Sequence, residues 1–437
     1  MSTIYALATA KGRAGVSVLR ISGAKAAQAL EILTDNPLPS PRRATLQSFR
    51  HPETGVLVDR GLALWFPAPK SFTGEDVVEL HLHGGPTVVS AMVSALSTID
   101  GLVPALAGEF TRRAFDHGKI DLTVAEGLAD LINAETEAQR VQALRQLDGG
   151  LSEIYEGWRA NLIRALAFLE AEIDFPDEDL PGGLSQQIVP QLEALAADMR
   201  QHLADNRRGE TLRDGFQVVV LGRPNVGKSS LINALASRDV AIVSDVPGTT
   251  RDLIEVRLDL GGYPVTLVDT AGLRESDDAI EREGVRRAQG RGAEADLRLL
   301  VFDAVEGLTP LDHEDQDLIV INKIDLADWP ETAEGVYPIS ARTGAGMDRL
   351  LSALENLVVH RMSVREVPSL TRARHRGGLM EAVAHLSRAM QAAADDLETE
   401  LITEDVRLAA RAIGRITGRV DVEDILDVVF ADFCIGK

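Results

Sequence analysis

Apolar positions fall in short strand-like blocks in two stretches of the chain and recur at helical spacing elsewhere. Between Ile4 and about Gly118, the runs VSVLRIS, GLALWF and DVVELHLHGG read as strands, separated by Pro/Gly turns and by the helical stretch TVVSAMVSALSTI. This predicts an N-terminal α/β domain over residues 1–118. From Asp121 to about Arg213 the composition turns to alanine and leucine with helical periodicity, as in AEGLADLINAETEAQRVQALRQL and WRANLIRALAFLEAEI, which predicts a helical segment over 119–213. Ser369 to Lys437 reads as helices again, and MEAVAHLSRAMQAAADDLETELITEDVRLAARAI is the longest stretch of a second helical segment over 361–437. Each helix must bury an apolar stripe, and neither segment carries a convincing core alone. The economical arrangement is one discontinuous α-helical bundle with an α/β domain, residues 214–360, inserted between its halves.

Inside the insert, Phe216 to Leu221 is an apolar strand, and IEVRLDL and PVTLVDT flank Gly261 and Gly262 as a hairpin. LRLLVFD, DLIVINK and VYPIS read as parallel strands. Only eighteen residues separate Asp303 from Asn322, so the helix between those strands must be short, near the lower limit for a crossover. The fold class is multidomain α/β.

Composition changes this picture in a few places. At 437 residues and 45% hydrophobic, the chain has room for several domains with proper cores. One cysteine, Cys434, excludes an internal disulfide and points to a reducing compartment. The start MSTIYALATAKGRAG lacks the basic-then-apolar order of a secretory leader, and no run is long enough to span a bilayer, so a cytoplasmic location without membrane attachment is expected. A formal charge of −22 opposes indiscriminate nucleic-acid binding. Local basic rows remain, at Thr371 to Arg376 (TRARHR) and at Arg407, Arg411, Arg415 and Arg419. Either suits RNA; for the second row, a solvated face pairing with Glu404, Asp405 and Glu423 is the commoner fate of such a helical charge row. Gly414 and Gly418 argue against a regular helix there.

The chemistry lies in the insert. GRPNVGKS, at Gly222 to Ser229, has the phosphate-loop pattern and sits between an apolar strand and a helical stretch, as its mechanism requires. GTTRD (Gly248 to Asp252), DTAG (Asp269 to Gly272), NKID (Asn322 to Asp325) and SAR (Ser340 to Arg342) follow in the order of a Ras-like G domain. Gly222 and Gly227 let backbone N–H groups close on phosphate oxygens. Lys228 is placed to reach the β and γ phosphates, and Ser229 and Thr250 offer hydroxyls to Mg²⁺, with Asp269 behind its water shell. Asp325 accepts from the N–H edge of guanine, a pattern adenine lacks, so the nucleotide is GTP and the product GDP. The motifs and their flanks define the expected nucleotide contacts: Asn225, Val226, Gly227, Lys228, Ser229 and Ser230; Ser244, Asp245, Val246, Pro247, Gly248, Thr249 and Thr250; Asp269, Thr270, Ala271 and Gly272; Asn322, Lys323 and Asp325; Ser340, Ala341 and Arg342. Ras-type GTPases place a water-orienting glutamine after the DxxG glycine, but this chain has Leu273. Asn225 brings an amide oxygen to the α/β phosphate edge, where a monovalent cation could supply the missing charge.

The chain resembles the MnmE (TrmE) family of tRNA-modification GTPases over essentially its whole length. Beyond the G motifs, the resemblance rests on GRAGVSVLRISG, SFTGEDVVELHLHGGP, GEFTRRAFDHGKIDLTVAEGLADLI, IDFPDE and the terminal FCIGK. It implies an N-terminal domain that binds a tetrahydrofolate derivative, 5-formyl or 5,10-methylene, and forms a homodimer. It also implies G domains that pair when GTP and K⁺ are bound, and an FAD-dependent MnmG-like partner with which an aminomethyl-type group is installed at the 5-position of the wobble uridine in certain tRNAs. Arg20, Glu79, Lys119 and Lys437 match the family's folate-binding positions; Asn225, Ser244, Val246 and Thr249 match its K⁺ ligands, and Glu281 its water-positioning glutamate. A role for Cys434 in the modification chemistry is weighed against that of a small buried residue, which Phe433 and Ile435 favour. The competing class is an Era- or Der-like RNA or ribosome-assembly switch without modification chemistry; such proteins need no folate.

Overall fold

The computed structural model describes residues 2–174, 184–238, 240–242, 255–269, 295–307, 317–327, 329, 335–363, 368–420, 423–431, 433 and 436. They belong to two compact units: Met1–Ala129 with Leu147–Arg164 and Ala410–Lys437, and Asp130–Gln146 with Ala165–Ala409.

In the first unit, β1 (Thr3–Leu7), β2 (Ala14–Ser22), α1 (Ala26–Thr34), β3 (Thr45–Arg50), β4 (Leu57–Phe66), β5 (Val77–Gly84), α2 (Pro86–Ser97) and β6 (Leu102–Pro104) build a sheet of order β3-β4-β5-β2-β1-β6. Its pairs are antiparallel except β1 with β6. Because successive strand residues point to opposite faces, Val78, Leu80 and Leu82 of β5 join Leu19 and Ile21 of β2 in a core with Ala29, Leu30, Met92 and Leu96 of α1 and α2. Arg20, Glu79 and His81 are left on the other face. The short β3 and β6 and helix α1 were not visible in the sequence pattern.

The next helices are α3 (Glu109–Asp116), α4 (Leu122–Asn133), α5 (Glu137–Leu147), α6 (Gly150–Asp174), α7 (Leu184–Leu203) and α8 (Arg208–Asp214). The periodic stretch AEGLADLINAETEAQRVQALRQL is thus two helices. Gln139 Oε1 accepts the backbone N–H groups of Glu135 (3.0 Å) and Thr136 (3.1 Å), which starts α5 afresh.

The insert contains β7 (Phe216–Leu221), α9 (Lys228–Ala236), β8 (Glu255–Leu260), β9 (Tyr263–Asp269), β10 (Leu297–Asp303), β11 (Leu318–Asn322), β12 (Val336–Pro338) and α10 (Met347–Met362). The sheet order is β12-β11-β10-β7-β9-β8, parallel apart from the β8–β9 hairpin. Gly261 and Gly262 turn that hairpin with φ of 61° and 86°, which glycine adopts without a Cβ penalty. Val218, Val220, Leu231, Leu267, Leu299 and Val320 pack the core between sheet and helices. The expected short crossover helix between β10 and β11 falls on residues 308–316, outside the described residues.

Three helices close the chain: α11 (Ala373–Ala394), α12 (Thr399–Thr417) and α13 (Glu423–Ala431). The long periodic stretch breaks between α11 and α12, where Asp396 takes a left-handed φ of 53° and Leu397 N–H bonds back to Ala392 O. Helix α12 runs through Gly414 and stops at Gly418, whose φ is 83°. Within the second unit α7 packs on α11, so helices from either side of the insert meet there. Within the first, Leu122 and Ala125 of α4 cluster with Leu426, Val429 and Phe430 of α13 and with Phe433.

Candidate functional site

The phosphate loop links β7 to α9. Its two glycines are required sterically: a Cβ on Gly222 would lie 2.4 Å from Val301 O, and one on Gly227 would lie 2.3 Å from Asn322 Nδ2. Register places Val220 beside Asp269, Leu221 beside Leu300, and Asp303 beside Asn322, so the sheet delivers the motifs to its C-terminal edge, the usual ligand crevice of open α/β folds.

Three groups of contacts shape this edge. Lys228 Nζ donates to Gly222 O (2.9 Å) and Arg223 O (3.0 Å). Ser229 Oγ donates to Asp269 Oδ2 at 2.8 Å, uniting the hydroxyl and the fully buried carboxylate expected around Mg²⁺. Asn322, also buried, donates through Nδ2 to Val226 O (2.9 Å) and accepts from Ala341 N–H (3.0 Å), tying the phosphate loop to the SAR segment.

The base-reading part is equally ordered. Asp325 accepts from Ser340 Oγ (2.6 Å) and from Arg342. The Ser340 hydroxyl, with Arg342 adding to it, holds the Asp325 carboxyl below the usual carboxylate value. Lys323 bridges Asn225 O and Asp303 Oδ2, both at 2.7 Å. Burial pushes the Asp303 carboxyl up, but the bonds from Lys323 and Val305 N–H outweigh it and the net direction is down. Asp303 was missed from the sequence; its only signal is the acid closing the apolar run LRLLVFD. Asn225 has a φ of 67°, a conformation asparagine tolerates.

In the first unit, Arg20 donates to Glu79 Oε1 through Nε (3.1 Å) and Nη2 (2.9 Å), and His81 Nε2 lies 3.5 Å from Glu79 Oε2. Lys119 Nζ donates to Pro69 O at 3.0 Å. At the C-terminus, a Cβ on Gly436 would lie 2.2 Å from Leu7 O, and Leu7 is next to Ala6, the residue opposite Arg20 across β1 and β2. Gly436 therefore lies against β1, the strand paired with β2 and its Arg20. Two aromatic rings that the sequence did not single out, Phe72 and Phe110, each lie 5.8 Å from the Arg20 guanidinium.

The family signature described as "MnmE helical domain" matches residues 122–434, and that of "GTP-binding protein TrmE N-terminus" matches residues 3–119. Proteins described as tRNA modification GTPase MnmE are 59% identical in Parvibaculum lavamentivorans and 55% identical in Maricaulis maris, each across 100% of both chains. A further one, from Paramagnetospirillum magneticum, is 55% identical over 100% of this chain and 99% of the relative. The chain belongs to the MnmE family of tRNA modification GTPases.

Not all of the expected MnmE positions fall on described residues. Ser244, Asp245, Val246, Pro247, Gly248, Thr249, Thr250, Thr270, Ala271, Gly272, Glu281, Cys434 and Lys437 lie outside them. The described nucleotide positions gather at one sheet edge, and Arg20 and Glu79 meet directly.

Four arginines of the basic rows pair with acids in this MnmE-family chain. Arg372 Nη2 contacts Asp130 at 2.7 Å, and Arg376 contacts Asp205 (2.7 Å) and Glu210 (3.0 Å). Arg407 pairs with Glu170 and Glu404, and Arg419 with Glu156. Asp405, expected to serve this row, instead takes His385 and Arg388. Arg372 and Arg376 are largely buried against these acids, at 14% and 19% exposure, while Arg407 and Arg419 stay 42% and 57% exposed as they pair. Among the described residues no helix is long and apolar enough to cross a membrane.

Proposed function

We propose that this chain hydrolyses GTP in a K⁺-dependent cycle that drives modification of tRNA. Working as a cytoplasmic homodimer with an FAD-dependent MnmG-like partner, it adds an aminomethyl or carboxymethylaminomethyl group at the 5-position of the wobble uridine, using a one-carbon unit from 5-formyl- or 5,10-methylene-tetrahydrofolate. The observation that carries this reading is the convergence of Lys228, Ser229 with Asp269, and Asp325 with Ser340 at one sheet edge of an MnmE-family chain.

Each group has a defined task. Lys228 Nζ exchanges the carbonyls of its own loop for β and γ phosphate oxygens. Ser229 and Asp269, with Thr250, hold hydrated Mg²⁺, which when bound supplies charge to the phosphates. Asp325 reads the guanine N–H edge from a carboxylate that Ser340 and Arg342 keep ionised and oriented. The Asn225 side chain, the carbonyls of Ser244 and Val246, and Thr249 hold K⁺, and Glu281 orients the attacking water in place of the glutamine that Leu273 replaces. In the N-terminal domain, Arg20, Lys119 and Lys437 suit the carboxylates of a folate, and Glu79 suits its N–H edge.

GTP turnover measured in K⁺ and in Na⁺ tests the cation: turnover is expected to be low in Na⁺ and much higher in K⁺, and equal rates refute it. Mass spectrometry of wobble nucleosides from cells lacking the protein tests the pathway. Unchanged 5-substituted uridine would rule it out.

A further inference from the structure

The loop between β4 and β5 is pinned on both sides of one residue. Thr73 Oγ1 and Ser22 Oγ are 2.7 Å apart, and Ser22 Oγ also donates to Glu75 Oε2 at 2.7 Å. Glu75 in turn receives Nη1 of the buried Arg113 at 3.0 Å, Ser71 Oγ donates to Glu75 O, and Ala68 N–H donates to Asp76 Oδ1 at 2.8 Å. Lys119 fastens the start of the loop through Pro69 O. A Cβ on Gly74 would lie 3.0 Å from the His117 Cβ, so this end of the loop sits against the segment that carries Lys119.

Held this way, the loop buries Ser71 (8% exposed) and Thr73 (0%) yet turns the larger, apolar Phe72 outward at 38%. That is the reverse of what hydrophobic burial alone selects. The exposed ring is not stray surface, because it lies 5.8 Å from the guanidinium of Arg20. Arg20 spends both its bonds to Glu79 on Oε1, while Oε2 accepts no hydrogen bond from Arg20 and has His81 Nε2 3.5 Å away, an ion pair only when that ring is protonated. An aromatic face, a carboxylate oxygen and a guanidinium thus occur together on the sheet face away from α1 and α2. A flat ring with an N–H edge matches that set: its face meets Phe72 and its edge meets Glu79.

We propose that Phe72 is the stacking platform that fixes the pyrimidinone half of the reduced pterin in this site. The inference rests on the folate reading given above. The rigidity of the loop makes Phe72 a preformed face, so little ordering is needed when the ligand arrives.

The test is calorimetric titration of the full-length chain with 5-formyl-tetrahydrofolate, alongside the near-ultraviolet difference spectrum of the pterin. Stacking of a heteroaromatic base on an aromatic side chain predicts that Phe72→Ala weakens binding about tenfold or more. It also predicts loss of the difference spectrum even at saturating ligand. Phe72→Trp keeps a ring face and is expected to bind within about threefold of the parent chain, which separates loss of stacking from loss of fold. If the parent chain binds and Phe72→Ala binds within twofold of it, Phe72 is not the platform and the folate reading stands. If the parent chain itself does not bind, the folate reading fails first and the platform falls with it.

Discussion

Arg113 is the place to test how the N-terminal domain holds its loop. Its side chain is 5% exposed and forks between Glu75 (3.0 Å, 13% exposed) and Glu109 (2.8 Å, 22% exposed). Arg113→Met keeps much of the apolar stem but strips the counter-charge from two largely buried carboxylates. Breaking such a pair from one side costs about 3–5 kcal/mol. Glu75 retains the Ser22 hydroxyl and Glu109 retains Leu106 N–H, which argues for the lower end, ~3 kcal/mol. Since about 1.4 kcal/mol is a factor of ten, amide hydrogen exchange in β2 and β5 is expected to accelerate about a hundredfold wherever it proceeds through opening of this domain. Peptides from β7 and β11, in the other unit, serve as internal controls and are expected to exchange as before. Adding Glu75→Gln removes one stranded charge and is expected to recover part of the loss. Acceleration of less than about fivefold in β2 and β5 would mean that the three charges contribute little to holding the domain and that Arg113 does not pin the loop.

Other expectations concern the nucleotide edge. Asp325→Asn removes two charge-assisted hydrogen bonds worth about 1.5–3 kcal/mol each, so GTP affinity is expected to fall on the order of 10²–10⁴-fold. Xanthosine triphosphate, whose ring offers an acceptor to the new amide, is expected to bind better than GTP; a variant that still prefers GTP in competition contradicts the role of Asp325. Because the Ser340 hydroxyl keeps the Asp325 carboxyl low, its ionised form persists through the neutral range and is lost only as pH falls through that lowered value. Ser340→Ala is therefore expected to move the acid limb of GTP binding to higher pH, and unchanged pH profiles refute the linkage. Gly227→Ala forces a Cβ to within 2.3 Å of Asn322 Nδ2 at a φ of 97°; binding of a fluorescent GDP analogue is expected to be lost or severely weakened, and near-native affinity would contradict the packing.

Much of this was legible in the chain because it is dictated locally. The phosphate loop needs glycine where the backbone meets Val301 O and Asn322, and the paired glycines of the β8–β9 turn need left-handed φ; both leave marks in sequence. Helix breaks were harder. Around Asp396 and around Glu135–Thr136 the apolar period hardly falters, and the interruption depends on a left-handed residue or on one glutamine capping two N–H groups. Strand β6, three residues long, is too short to show a period, and β3, TLQSFR, carries too few apolar residues to show one; both exist because neighbours pair with them. The partners of the arginine rows were not legible, since a guanidinium free for phosphate and one paired with Asp205 or Glu156 look alike until the facing segment is in place. Phe72 was hidden for a related reason: a lone aromatic reads as core, and only the burial of Ser71 and Thr73 beside it reveals the outward turn.

The double engagement of Asn322 has a mechanical meaning. One amide joins Val226 to Ala341, so the cradle for phosphate and the reader for the base are braced against each other as a single piece. Lys228 braces the same loop from within. Its ammonium bonds the carbonyls of Gly222 and Arg223, so the charge that meets phosphate is anchored to the very backbone that encircles it.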